Sequence, residues 1–191
     1  MPSIETVGGK AVYATLAYPD YRPDWSEVRS LITPRTRMII INSPHNPTGS
    51  LLDADDLAAL AELTRNTDIV VLSDEVYEHI VFDGVPHASV VSHAELRSRS
   101  LVVSSFGKTY HITGWKIGYV LAAEVLMAEF RKVHQFNVVA VNAPCQAGIA
   151  EYMQDDSRYQ RLAGFYQQKR DFFRAQLKDS RFELLPCRGT Y

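Results

Sequence analysis

The stretch "VVSSFGKTYHITGWKIGY", residues 102–119, sets a glycine, a lysine and a threonine directly after a run of β-branched residues. Gly-Lys-Thr closes phosphate loops of the pattern G-x-x-x-x-G-K-[ST], in which backbone N–H groups along the whole loop curl around the anion. Five places before Gly107 stands Val102, a strand former without glycine's freedom, so that reading fails at its first position. Lys108 is then a candidate for covalent chemistry through its amine. Other polar residues that follow apolar runs must be weighed beside it. They are Asn46 in "HNPTG" after "MIIIN", Asp74 and Tyr77 in "SDEVY" after "IVVL", and Ser105 in "SSFGK" after "LVVS".

For these residues to meet, the apolar runs before them must be neighbouring strands. "RMIIIN", "DIVVLS" and "SLVVSS" are short continuous runs bounded by turn residues, as expected of strands covered on both faces. "KIGYVLA" reads as a fourth strand, and alternation in "KAVYATL" suggests another over residues 11–16. "DWSEVRSLI" reads as a helix with Asp24 as N-cap and Glu27 three residues on. In "DADDLAALAELTRN", Leu57, Leu60, Ala61 and Leu63 share one helical side and Asn66 ends the helix. "AEVLMAEFRKVHQFN", "APCQAGIAEYM" and a long helix over residues 157–178 follow, the last with Phe165, Tyr166, Phe172 and Phe173 as a packing face. Strands alternating with helices imply α/β architecture: three layers, a mostly parallel sheet, helices on both faces. Ligands of such sheets collect at the carboxyl ends of the strands. All three polar sets would therefore share one rim.

The 191 residues suffice for one domain or part of a larger one, with 46% apolar and 22% charged residues. A net charge of −2 and the absence of like-charge runs argue against a nucleic-acid partner. No apolar segment approaches the ~20 residues that span a bilayer, and "MPSIETVGGK" lacks the pattern of a signal peptide. A cytoplasmic protein with no membrane partner is the expectation. The two cysteines, Cys145 and Cys187, form no C-x-x-C pair and are expected to be buried free thiols. The six histidines show no H-x-x-x-H or H-E-x-x-H spacing, so no metal site is expected, and His87 and His111 read as structural. Glu75 and Glu78, beside Asp74, read as solvated or structural rather than catalytic.

A lysine, a carboxylate, a phenol and an amide at one rim suit pyridoxal 5'-phosphate. The amine condenses with the aldehyde, and the carboxylate keeps the pyridine nitrogen protonated so that the ring accepts the electrons left when a bond at Cα breaks. Phenol and amide stabilise the ring oxygen, and Ser105, Lys116 and the start of "TYHITGW" offer donors to a phosphate.

"SPHNPTG", "SDEVYEHIVFDG" and "SSFGKTYHITGWKIGY" resemble, in order and spacing, the signature segments of fold-type I aminotransferases of class I/II. The likeness is greatest to the branch with methionine aminotransferases and kynurenine or glutamine transaminases, and it extends over nearly the whole chain. The resemblance implies that Lys108 is the Schiff-base lysine and moves the proton, that Asp74 pairs with the pyridine nitrogen, and that Asn46 and Tyr77 bind the ring hydroxyl. It also implies that Ser105 and Lys116 bind phosphate. Lys116 stands where many members have arginine, which keeps the charge and loses the bidentate fork. Members of this family are about twice as long. The resemblance thus implies a central, incomplete piece of the cofactor-binding large domain, with residues 157–191 leading towards a small C-terminal domain. The arginine that grips a substrate α-carboxylate has no counterpart here, and Arg188 is not assigned to it. The implied activity moves an amino group from an amino acid, methionine, aromatic or kynurenine-like, to a 2-oxo acid, within a homodimer. A carbon–sulfur β-lyase and a catalytically inert fragment are the alternatives.

Overall fold

The computed structural model describes residues 2–191. The first half runs α1 (Pro2–Thr6), β1 (Leu16–Ala17), β2 (Arg22–Pro23), α2 (Trp25–Leu31), β3 (Met38–Asn42), α3 (Ala54–Thr64) and β4 (Val70–Asp74). The second runs α4 (Ala94–Arg97), β5 (Ser100–Ser105), α5 (Phe106–Thr109), β6 (Gly118–Ala122), α6 (Glu124–Asn137), α7 (Ala143–Tyr152), α8 (Ser157–Gln160) and α9 (Leu162–Leu177). The main sheet has the order β3-β4-β5-β6.

The three runs "MIIIN", "VVLSD" and "SLVVSS" form parallel strands, with Ile41 opposite Ser73 and Ser73 opposite Val102. Their burial alternates. In β4 and β5 the buried residues are Val71, Ser73, Ser100, Val102 and Ser104, which all point to one face. That face packs on Leu57, Leu60 and Ala61 of α3 and on Val90 and Leu96 from the segment before β5. The opposite face is half-open, and Met38 and Ile40 are each 43% exposed. Coverage on both faces of β3, expected from its continuous apolar run, is therefore not complete within the described residues. A side-chain period of two lets one buried face fix the register of these three parallel strands.

Caps set the helices where the sequence reading puts them. Asp24 accepts from the N–H groups of Ser26 and Glu27 at the start of α2. Glu27 turns instead to the backbone N–H of Thr15 at 3.2 Å. Asp53 and Asp56 form a reciprocal capping box on α3, an arrangement worth about 1 kcal/mol. Asp56 also accepts from Trp25 Nε1 at 2.9 Å and pairs with Arg22, which joins α2 and β2 to α3. Asn66 takes φ 58°, the left-handed conformation that ends the helix.

Four expectations are corrected. Residues 11–15 carry no regular structure, because only Leu16 and Ala17 find a partner, antiparallel to Arg22 and Pro23. The strand "KIGYVLA" is antiparallel to β5 rather than parallel, since residues 106–117 hold only short turns of helix and no crossover returns the chain to the other end of the sheet. The helix over residues 157–178 is broken at Arg161 into α8 and α9. Cys145 and Cys187 are half-buried rather than buried.

The antiparallel turn brings Gly118 opposite Ser105. A Cβ at Gly118 would stand 2.6 Å from the carbonyl oxygen of Ser104, so only glycine allows this approach. At the end of the chain, residues 188–190 run along residues 80–82. The Phe82 N–H donates to Arg188 O at 2.8 Å and the Thr190 N–H to Ile80 O at 2.9 Å. Gly189 permits this as well, for its Cβ would lie 2.9 Å from Ile80 O. Arg170 of α9 holds both Asp83, at 2.6 Å, and Cys187 O, at 2.9 Å. The aromatic side chains of α9 largely face outward, with Phe172 68% exposed. No helix of the described residues is long and apolar enough to cross a membrane.

Leu60, fully buried between α3 and the sheet, provides a test of this core. Leu60→Ala is expected to lower unfolding free energy by about 2–5 kcal/mol, measured by urea denaturation followed by circular dichroism.

Candidate active site

The carboxyl ends of β3, β4 and β5 and the start of β6 meet at one rim. Asn42, the last residue of β3, sits opposite Asp74, the last of β4. Asn42 Nδ2 donates to Asp74 O at 3.0 Å, and Asn42 Oδ1 accepts from the Asn46 N–H at 3.2 Å. Asn42 thus ties the "HNPTG" loop to the end of β4. Asn46 Nδ2 then donates to the Tyr77 phenol oxygen at 2.8 Å. Asp74 is half-buried, and its Oδ1 accepts from the Val76 N–H at 3.2 Å, which starts the turn that carries Tyr77.

Lys108 lies in α5, one short turn beyond β5. Its Nζ is 5.8 Å from the centre of the Tyr77 ring and donates to the Tyr191 phenol oxygen at 2.8 Å. The Tyr77 and Tyr191 rings meet edge to face at 5.3 Å, and Tyr191 stacks on Tyr166 at 5.4 Å. Burial and the Tyr191 contact push the Tyr77 phenol above its ordinary range, against the pull of Asn46. Burial also acts to raise Tyr191, but the hydrogen bonds from Lys108 and Tyr77 outweigh it and hold that phenol below its usual value. The hydrogen bond to Tyr191 raises the Lys108 ammonium.

Ser105 and Lys116 are placed more loosely. The Ser105 hydroxyl caps α5, accepting from the Gly107 N–H at 3.0 Å and donating to Ile117 O at 3.3 Å. Lys116 takes φ 57° just before β6, is exposed, and has no side-chain partner among the described residues. Its neighbourhood with Ser105 comes from the antiparallel pairing of β6. The start of "TYHITGW" supplies no long helix; only Thr113–Trp115 forms a single tight turn.

Below the rim one carboxylate, Glu75, is structural. Glu75 is 1% exposed and accepts from Ser73 Oγ at 2.8 Å, from the Val90 N–H at 3.1 Å and from His87 Nε2 at 2.8 Å. Burial pushes its carboxyl up, yet the bonds from His87, Ser89 and Ser73 prevail and hold it below the ordinary carboxylate range. His87 Nδ1 is buried without a partner in the described structure. Among the described residues no group of three or more His, Cys, Asp and Glu side chains is arranged for a metal.

Asn46, Tyr77 and Lys108 are thus gathered directly, and Asp74 is joined to them through Asn42. Lys116 is brought to the rim but touches none of them. Sequence reasoning missed Asn42 and Tyr191. The polar residue ending "MIIIN" was the available signal for Asn42; nothing local marks Tyr191, which arrives through long-range pairing of residues 188–190 with 80–82. The donor set fits pyridoxal phosphate: an amine beside a phenol and an amide, a strand-end carboxylate, and a hydroxyl and an ammonium at the β5–β6 pairing.

The family model for class I and II aminotransferases matches residues 2–191. The chain belongs to that family. Methionine aminotransferase of Escherichia coli is 47% identical over 191 residues, covering 100% of this chain and 50% of that protein. A crystal structure from the same organism, described as identifying a methionine aminotransferase function, superposes with TM-score 0.97 at 46% identity over 100% of this chain and 50% of that one. The N-succinyldiaminopimelate aminotransferase structure from Mycobacterium tuberculosis gives TM-score 0.92 at 35% identity, with 100% and 50% covered. Kynurenine–oxoglutarate transaminase 1 of Rattus norvegicus is 31% identical over 209 residues, covering 100% of this chain and 49% of that protein. The chain spans about half the length of the relatives it matches.

The tie between Lys108 and Tyr191 in this aminotransferase chain is testable without any ligand. Since the Tyr191 oxygen is the main cause of the raised lysine value, Tyr191→Phe should lower the Lys108 pKa. Nuclear magnetic resonance of the chain after reductive methylation with labelled formaldehyde, titrated against pH, reads it directly.

Proposed function

We infer that the chain forms the cofactor-binding core of a pyridoxal phosphate-dependent aminotransferase that moves an amino group from an amino acid to a 2-oxo acid. The observation that carries this reading is the Lys108 amine standing 5.8 Å from the ring of Tyr77 while the Tyr77 phenol oxygen accepts from Asn46. When bound, pyridoxal phosphate supplies an aldehyde that captures amines and a pyridinium ring that takes up the electron pair released at the substrate Cα.

The residues divide the work by position. Asp74, at the end of β4, holds the proton on the ring nitrogen through its charge. Asn46 and Tyr77 hydrogen-bond the ring oxygen and hold the ring in plane. Ser105 offers a hydroxyl and Lys116 a positive charge to the phosphate. Lys108 would anchor the cofactor through its amine, and the free amine would move a proton at the substrate Cα. To act as a base it must shed the proton that the Tyr191 oxygen stabilises, which would leave a neutral amine able to accept from the Tyr191 phenol. The relatives' names support methionine, aromatic or kynurenine-like donors, and a homodimer is the proposed assembly.

The test is a visible spectrum of the purified chain with pyridoxal phosphate, followed by borohydride reduction and peptide mass analysis. The pyridoxyl label is expected on Lys108, and Lys108→Ala should lose it. In any assay where the chain transaminates, the same substitution should slow turnover by at least about 10²–10⁴-fold. A label elsewhere, or none, contradicts the reading.

A further inference from the structure

Glu78 follows Tyr77 in the chain and lies between the two halves of the rim. Its Oε1 accepts two hydroxyl protons, from Ser104 Oγ at 3.0 Å and from the Tyr119 phenol at 2.7 Å. Ser104 and Tyr119 sit directly opposite each other in the β5–β6 pairing, and Ser104 is 3% exposed. One carboxylate oxygen therefore joins the turn after β4 to both strands of the antiparallel pair. Burial, with Glu78 adding to it and Ser104 opposing, pushes the Tyr119 phenol up to about 12, so it remains a donor through the neutral range. Tyr119 also lies 5.1 Å ring to ring from Phe106, the first residue of α5.

Chain neighbours show what this tie controls. Tyr77 precedes Glu78, Ser105 follows Ser104, and Lys116 lies three residues before Tyr119. We propose that Glu78 is a positioning residue that fixes the spacing between the ring-holding group, Asn46, Asp74 and Tyr77, and the phosphate-holding group, Ser105 and Lys116. The proposal takes its ligand from the pyridoxal phosphate reading above. A rigid ligand gripped at two ends gains from both only when the two half-sites keep one separation. Cutting the tie leaves each half intact and uncouples them. The loss should therefore fall on ligands that engage both halves.

Two measurements on the 191-residue chain test this. In the cofactor-free protein, amide exchange of Val76 reports the Asp74 carboxylate and that of Gly107 reports the Ser105 hydroxyl, because each N–H donates to that group. Glu78→Ala should speed both by about tenfold while Leu60 in α3 stays unchanged, the signature of a local opening. Glu78→Gln, which keeps an acceptor oxygen, should restore both. Acceleration of one amide only, of neither, or of all three together overturns the proposal. In titrations with pyridoxal phosphate and with pyridoxal, which lacks the phosphate, Glu78→Ala should weaken the first by about tenfold or more and the second by less than about threefold. Equal losses for the two ligands, or no rescue by Glu78→Gln, overturn it as well. If Glu78→Ala fails to fold, Tyr119→Phe cuts one of the two ties and should give the same selective pattern at smaller size. A wild-type chain that binds neither ligand defeats the cofactor reading, while the amide pattern still decides the coupling.

Discussion

The register of the four-stranded sheet is the constraint on which the site depends. One face of β4 and β5 is buried to the last residue, so a slip by one position would turn Val71 and Val102 outward and bury their neighbours instead. With that slip forbidden, and with Ile39 and Ile41 of β3 packed on the same core, Asn42 lies opposite Asp74, while Ser105 lies opposite Gly118 where only glycine allows the close approach to Ser104 O. The chemistry at the rim is thereby placed by apolar packing some distance below it. Asn42, Asp74 and Ser105 all belong to the half-open face, whereas Ser73, Ser104 and Glu75 belong to the buried side and support it. The strand ends divide function from support by the ordinary alternation of a pleated chain.

Much of this was legible because the relevant runs are short, apolar and followed at once by polar residues. The three parallel strands, α2 with its Asp24 cap, α3 with its left-handed Asn66 and the rim set all carry their signals locally. Two of the failures, at residues 11–16 and at Tyr191, depend on partners distant in the chain. Alternation in residues 11–16 had the period of a strand but no edge to pair with beyond Leu16 and Ala17. The direction of β6 turned on what lay between it and β5: a connection of short turns cannot make the crossover that parallel pairing requires. Tyr191 reaches Lys108 only because residues 188–190 are bonded to residues 80–82, a pairing that no window of sequence contains.

Glu75 and Glu78 illustrate a finer limit. The sequence reads both as solvated or structural, and residue type alone does not separate those alternatives. Each is structural, for a different reason. Glu75 is enclosed, and burying a carboxylate is tolerable only with donors on both oxygens, which Ser73, the Val90 N–H and His87 supply. Glu78 is more open, and its partners come from two separate strands. The same side chain, three positions further along a turn, passes from anchoring one loop to joining three elements.

The position of the Lys108 amine rests in turn on a single hydroxyl. Lys108 lies in a helix of four residues, too short to hold its own geometry by intrahelical bonds, so its direction follows from how the chain leaves β5. Ser105 sets that exit by accepting from the Gly107 N–H, which uses one lone pair and leaves the hydroxyl proton free to turn. That proton points at Ile117 O, which is 3.3 Å away and already accepts the Phe106 N–H at 3.2 Å. The bond is long and its acceptor is shared, so redirecting the proton towards an anion costs little and leaves the cap in place. On the proposed reading Ser105 both aims the lysine and meets a phosphate, two tasks that use opposite ends of the hydroxyl group.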